Sequence, residues 1–219
     1  MEFANSLISI NGEQMPTLEI LVLLTVMMLL PSIVIMMTSF LRIVIILSFT
    51  RTAIGIQQTP PNMVLIGMAL FLTLFIMNPV MQDINTEAYE PYKAGEITQE
   101  EALDIAAVPM KEFMLQQTEV SALNLFTEAA DSGAVENPEE LSLIVIVPAF
   151  ITSELKRAFT AGLLLHIPFL LIDIIVSSTL MSMGMIMLPP ATIALPFKLL
   201  LFVTVNGWEL LFASIINSF

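Results

Sequence analysis

The sequence has no cysteine, one histidine and one tryptophan, and only seven lysines and arginines among 219 residues. Without cysteine there are no disulfides and no thiolate-bound metal, and a lone histidine leaves too few ligands for a zinc site. No GxxxxGK[ST] run is present, so any nucleotide-driven work falls to another protein. No two glycines stand four apart, and the glycines of "GMALF" and "GLLLH" signal close helix packing only weakly. The small number of basic residues, against twenty acidic ones and a net charge of −13, argues against nucleic acid as a partner. No Ser/His, paired-aspartate or metal-ligand constellation has a convincing spacing. An intramembrane hydrolase therefore finds no support, and neither an enzyme activity nor a cofactor is expected.

What is present in excess is apolar surface. The chain is 57% hydrophobic, with a mean hydropathy of +0.89, which reads as a membrane or membrane-complex protein. The acidity is local. Residues 83–140 hold 14 acidic and 2 basic residues, while the other 161 residues hold 6 and 5. The opening "MEFANSLISINGEQMPTLE" has no basic region and no cleavage pattern joined to an apolar core, so no signal peptide is expected there.

Residues 20–41 are free of charge, which matches the ~20 residues that cross a ~30 Å hydrocarbon layer. Pro31 is expected to kink this helix. A second apolar run covers 63–77, with Pro61 placed as a first-turn proline and Asn78-Pro79 as its end. Residues 1–82 thus read as an N-terminal segment and a first helical hairpin, with its tight end near 51–61. Residues 83–140 read as an acidic helical lobe of two or three short amphipathic helices. Thr98 and Glu101 fit a capping box, Pro109 can open the next helix, and Gly133 fits a C-cap. Charged residues on the exposed faces of such a lobe are tolerated, whereas Leu123 and Phe126 in "SALNLF" belong to its apolar stripe.

Residues 141–219 form a second hydrophobic hairpin region, and simple hydropathy brings the spans to four. Its runs are interrupted by Glu154, Lys156, Arg157, Asp173, Lys198 and Glu209, with His166 also inside. Each such charge costs ~2.5–3.5 kcal/mol at the centre of a lipid-embedded helix. These helices are therefore expected to face protein or an aqueous cavity more than lipid. Arg42 and Arg51 flank the first turn and Lys198 lies in "PPATIALPFK". The distribution of basic residues then puts both turns on the cytoplasmic side and the acidic insert outside, with both termini.

Three constellations carry possible function. Glu154 and Lys198 are expected to form a buried ion pair, within or between subunits, because an unpaired charge in either place is costly; a local contact of Glu154 with Arg157 is the alternative. His166 and Asp173 stand seven apart, near one helical face. They serve either as polar contacts between subunits, together with Arg42 and Arg157, or as a proton relay interrupted by Pro168. The third is "LMSMGMIMLPP", with Met181, Met183, Met185 and Met187 around Gly184 before a double proline. Methionine is unbranched and polarizable, so several copies can close an irregular gap and reopen it. Gly184 supplies backbone freedom and Pro189-Pro190 stops the helix. In a ring of copies, Met185 and Met187 would form a compliant collar. Methionine is also ordinary core filler, and this chain has 16.

Over "MMTSFLRIVIILSFTRTAIGIQQTPPNMVLIGMALFLTLFIMNPV" and "PAFITSELKRAFTAGLLLHIPFLLIDIIVSSTLMSMGMIMLPPATIALPFKLLLFVTVNGWELL", the sequence closely resembles the FliP family. These are flagellar type III secretion export-gate subunits, with SctR-type counterparts in injectisomes. The likeness covers residues 20–219 outside the acidic insert, and its "RTAIG" and "GMIMLPPATIALPFKLLLF" stretches look flagellar. It implies an all-α membrane-complex protein of helical hairpins with an inserted acidic lobe, assembling as a homopentameric ring or cone. Implied partners are FliQ-type and FliR-type gate subunits, FlhB/FlhA-type membrane proteins and unfolded exported polypeptides. The implied place is the bacterial inner membrane at the flagellar basal body, with the helices displaced toward the periplasm. Family members usually carry a cleaved signal sequence, which implies mature numbering here. The resemblance also implies a methionine gasket, usually three successive methionines, where this chain has Met185-Ile186-Met187 with a stiffer residue in the middle. An ion channel or proton-coupled transporter subunit is the alternative function.

Overall fold

In an apolar environment a helix satisfies its backbone N–H and C=O groups within itself, so long apolar runs become helices. The computed structural model describes residues 8–10, 13–15, 17–56, 58–130, 141–185 and 187–219. Helices dominate. Among the described residues the exception is a small antiparallel ribbon, β1 (Ile8–Ile10) with β2 (Glu13–Met15), in which Ser9 faces Gln14. No strand was expected there, although Asn11-Gly12 between two short runs is a recognised hairpin cue.

The expected first span divides. α1 (Thr17–Met36) carries Pro31 in its interior, and α2 (Phe40–Ile54) begins only after buried Thr38 and Ser39. Thr38 Oγ1 donates to the Ile35 carbonyl at 2.7 Å and accepts from Phe40 N at 3.4 Å, which stabilises the break. The first hairpin is therefore α2 with α3 (Asn62–Ile76). Gly55 ends α2 at φ +90°, where glycine avoids the Cβ penalty. Gly55 N bonds to the Thr52 carbonyl and Ile56 N to the Arg51 carbonyl. Arg51 Nη1 also reaches the Pro60 carbonyl across the turn.

α3 ends just before Asn78-Pro79, as expected, and a new helix starts there at an angle to it. Proline is tolerated in a first turn because its missing N–H would be unpaired there anyway. α4 (Asn78–Ile84) continues through one π-helical turn (Asn85–Tyr89) into α5 (Glu90–Ala94), and this rod leaves α3 at 56°. α6 (Gln99–Gln117) starts with the expected capping box, in which Glu101 N donates to Thr98 Oγ1 and Thr98 N to Glu101 Oε2. Pro109 lies within α6 instead of opening a new helix, and Gly133 lies outside the described residues. α7 (Val120–Ala129) follows. Phe113 and Met114 of α6 are buried with Met77, Val145, Ile146 and Phe150, and Leu123 and Phe126 pack against the same cluster. The acidic stretch thus shares its core with the segments on either side.

α8 (Leu143–Ser182) is one 40-residue helix, about 60 Å long and roughly twice a bilayer's ~30 Å hydrocarbon thickness. It is long and apolar enough to cross a membrane. The pairs α3 with the 78–94 rod, and α9 (Pro190–Thr204) with α10 (Gly207–Ile216), qualify only when each bent pair counts as one span. The four spans expected from hydropathy become at most three among the described residues. At the α9–α10 bend of 61°, a Cβ on Gly207 would stand 2.3 Å from Phe202 Cδ2, so only glycine fits. α2 forms the centre: Ile43, Ile46 and Leu47 meet Leu65 and Ala69 of α3, Ala158 of α8, and Leu211 and Ile215 of α10. Where α2 crosses α8, a Cβ on Gly162 would come within 2.5 Å of Phe49 Cγ.

Candidate functional site

Arg42 falls in the first turn of α2, a helix with no acidic residue in that turn, and it is 2% exposed. A guanidinium buried this deeply needs a carboxylate and acceptors for its remaining N–H groups. Glu154 on α8, 0% exposed, supplies the carboxylate: Nε donates to Oε2 at 2.8 Å and Nη2 donates to Oε1. Such a two-pronged pair is the strong geometry for arginine and carboxylate. Nη2 also reaches Gln117 Oε1 at 3.0 Å, while Nη1 donates to the Ser218 carbonyl at 2.9 Å and to Ser218 Oγ at 3.2 Å. The guanidinium carbon lies 3.8 Å from the centre of the Phe219 ring, close enough for a cation–π contact. Arg157 Nη1 donates to the same Gln117 oxygen at 2.7 Å. One hub thereby joins α2, α6, α8 and the segment after α10, with every guanidinium nitrogen engaged.

Lys198 makes a second site at the other end of α2. Its Nζ donates to Asp173 Oδ2 on α8 at 2.7 Å and to the Ala53 carbonyl at 3.3 Å. The last carbonyls of a helix carry partial negative charge, so an ammonium is favoured there. Glu154 and Lys198 therefore do not pair with each other in this chain; each takes another partner. Two cations and two carboxylates in apolar surroundings allow two pairings. The forked arginine is the better match for the fully buried carboxylate. Arg157 and Asp173, expected as contacts between subunits or part of a relay, are engaged inside the chain. His166 is half-buried and lies edge-on to Phe49, with ring centres 6.5 Å apart. Gln117, Ser218 and Phe219 had no signal of their own in the sequence; Arg42's need for five acceptors was the available clue.

The methionine run shows how the glycine is used. α8 ends at Ser182, Gly184 turns left-handed at φ +74°, Gly184 N bonds to the Met181 carbonyl and Met185 N to the Leu180 carbonyl. This is a glycine-closed helix end. The chain then runs out to Pro190, where α9 begins. Met181 and Met183 are about two-thirds exposed, Met185 is 42% exposed and Met187 is 98% exposed. Ile186 lies outside the described residues. The four methionines are thus not core filler of this chain. They form an apolar tip held away from it.

A groove of about 1060 Å³ runs between α8 and the α9–α10 pair, from Arg42, Arg157 and Ser218 at one end to Phe169 and Phe202 at the other. Beside it, Lys156 pairs with Glu119 at the surface, and Glu119 N donates to Ser153 Oγ at 2.9 Å. The Lys156 ammonium, hydrogen-bonded to Glu119, holds that carboxyl below its ordinary value.

The model of the FliP family matches residues 23–215, which includes the charged residues of both sites and the methionine tip. Among similar proteins, the flagellar biosynthetic protein FliP of Bacillus subtilis is 50% identical over all of this chain and 99% of its own length. The protein of that name from Pectobacterium carotovorum is 51% identical over 95% of this chain and 82% of its own. That from Aquifex aeolicus is 47% identical over 95% and 88%. A match over nearly the whole chain, with identities near one half, shows that this protein belongs to the FliP family.

Proposed function

We propose that this chain is a core subunit of the flagellar type III export gate and forms the entry pore through which unfolded flagellar proteins are exported. Five copies form the ring, together with FliQ-type and FliR-type subunits and beside FlhB/FlhA-type proteins, in the inner membrane at the flagellar basal body. The family match and the relatives' names as flagellar biosynthetic proteins support the flagellar assignment. The observation that carries the gate is the methionine tip: Met185 and Met187 stand exposed beyond a closed helix end. Gathered around an axis, such side chains make an apolar constriction that excludes water and ions, yet repack easily around a passing polypeptide. Ile186 is the stiffer, β-branched neighbour in this collar. The buried charges support a position displaced toward the periplasm, because Arg42 and Glu154 are sheltered by protein and need no lipid-facing surface. The transporter alternative draws less support, since Asp173 is engaged by Lys198 and His166 faces an aromatic ring.

The test is Met185→Ala with Met187→Ala in the complex reconstituted into liposomes. Assembly is expected to stay normal while idle ion flux rises several-fold, and Ile186→Met is expected to keep the seal. A double variant that assembles and remains as tight as the parent places the seal elsewhere. If it does not assemble, a Met187→Leu series provides the same reading with less volume removed.

A further inference from the structure

Past Phe169 no residue of α8 is buried. α9 is buried only at Ala194, Lys198 and Phe202, one stripe at four-residue spacing. The hairpin that ends in the methionine tip is therefore fastened to the rest of the chain at its base. There Phe169 and Phe202 pack against Ala53 and Ile54 at the end of α2. Lys198 of α9 bonds to both other helices, through Asp173 of α8 and the Ala53 carbonyl of α2. Toward the tip, an apolar groove of about 430 Å³ lies between Ile172, Val176 and Leu180 on one arm and Ile193 and Phe197 on the other. The two arms have room to approach or splay.

The two partners of this bridge are unequal. Lys198 is 7% exposed and keeps a second acceptor in Ala53. The side chain of Asp173 is 41% exposed, and its Oδ1 is buried with no hydrogen-bond partner in the chain. A charge-assisted bond of this kind holds two helices together. Water reaches the aspartate side chain, while Lys198 keeps the Ala53 carbonyl when the bridge opens.

We propose that the Lys198–Asp173 bridge is a latch that positions the methionine tip. Closed, it sets the spacing of α8 and α9 at the base of the hairpin; released, it lets the arms move about the groove and carries Met185 and Met187 with them. The leverage is favourable: nine helical residues separate Asp173 from the end of α8, about 13 Å, so a rotation of about 10° at the base shifts that end by about 2 Å. Both residues act through the tip and are positioning residues. The latch rests on the gate reading above, and its test keeps the two apart.

Asp173→Asn and Asp173→Glu complexes, purified with their companion subunits, are compared with the parent and with the double-alanine tip variant for native mass and for idle ion flux in liposomes. Asp173→Asn is expected to assemble and leak several-fold above the parent, while Asp173→Glu, which keeps the charge, stays close to it. If Asp173→Asn is tight while the double-alanine variant leaks, the latch is overturned and the gate stands. If both are tight, the gate reading falls and takes the latch with it. A second measurement does not depend on any bridge variant assembling. The chain has no cysteine, so spin labels at Thr179→Cys and Ala191→Cys, in rings where doubly labelled chains are diluted with unlabelled ones, report the separation of the two arms. In the intact complex this separation is expected to change when an export substrate fused to a stably folded domain is stalled in the pore. An unchanged separation overturns the latch.

Discussion

The two ion pairs of α8 use the same helix in opposite ways. Glu154 and Asp173 stand 19 residues apart, about 28 Å along it, and each holds a cation from another helix. Around Glu154 both charged groups are shut off from water, and each guanidinium nitrogen of Arg42 has an acceptor. Around Asp173 one partner is half open to solvent and one oxygen is unpaired. A saturated buried pair is rigid, since losing either partner strands a charge in apolar surroundings. An unsaturated pair at an edge can exchange its partner for water. Along one helix the chain thus passes from a fastening to a joint, and beyond the joint no residue is buried, with Ile174, Ile175 and Met181 exposed.

The largest effect is expected at the fastening. Arg42→Leu or Glu154→Ala alone leaves an uncompensated buried charge and costs about 3–5 kcal/mol, enough to remove folded complex. Arg42→Met combined with Glu154→Leu should recover much of that loss. Thermal unfolding in detergent measures both, and a single-variant loss under about 1 kcal/mol would erase the contrast with the second pair.

A smaller effect tests whether the contrast extends to packing. Gly162→Ala forces a methyl group against the Phe49 ring and is expected to cost about 1–3 kcal/mol. Leu170→Ala, on an exposed position of the distal half, should leave the melting temperature of the isolated subunit unchanged. Equal losses from the two would mean that α8 is held along its whole length.

The smallest effect belongs to the third pair of α8, Lys156 with Glu119 at the surface. The Glu119 carboxyl lies below its ordinary value of 4.5 because of the Lys156 hydrogen bond. Its contribution is therefore present above that value and is lost as pH falls through the lower folded value. Melting curves of the parent and Glu119→Gln should differ by a small constant amount from pH 7 to pH 5 and converge below pH 4.5. A difference that grows on acidification would contradict the pairing.

The features legible in the sequence were those that act within a turn or two of chain. Thr98 and Glu101 make the capping box they spell, and Gly184 before Pro189-Pro190 ends α8 as its position suggested. Of the charges of the last third, Glu154, Arg157, Asp173 and Lys198 are engaged by other helices of the chain, whereas Lys156 and Glu209 are exposed. Misreadings arose where a local rule met a tertiary contact. Pro109 continues α6 because Phe113 and Met114 beyond it are held in a core shared with α8. The 20–41 run breaks at Thr38 and Ser39, which are buried where α1 gives way to α2. The partners of Glu154 and Lys198 could not be chosen from spacing, since Arg42 and Glu154 are 112 residues apart.

Composition and periodicity alone led to a helical membrane-complex protein, an acidic insert and a methionine run bounded by glycine and proline. Each follows from solvation or from the backbone preferences of single residues, which need no knowledge of the remaining chain. Tertiary structure decided which carboxylate holds which cation, which half of α8 is anchored, and that the methionines face outward instead of filling a core. Those outcomes depend on how α2 packs against α8, because burial, more than residue type, sets whether a charge is saturated or free to let go.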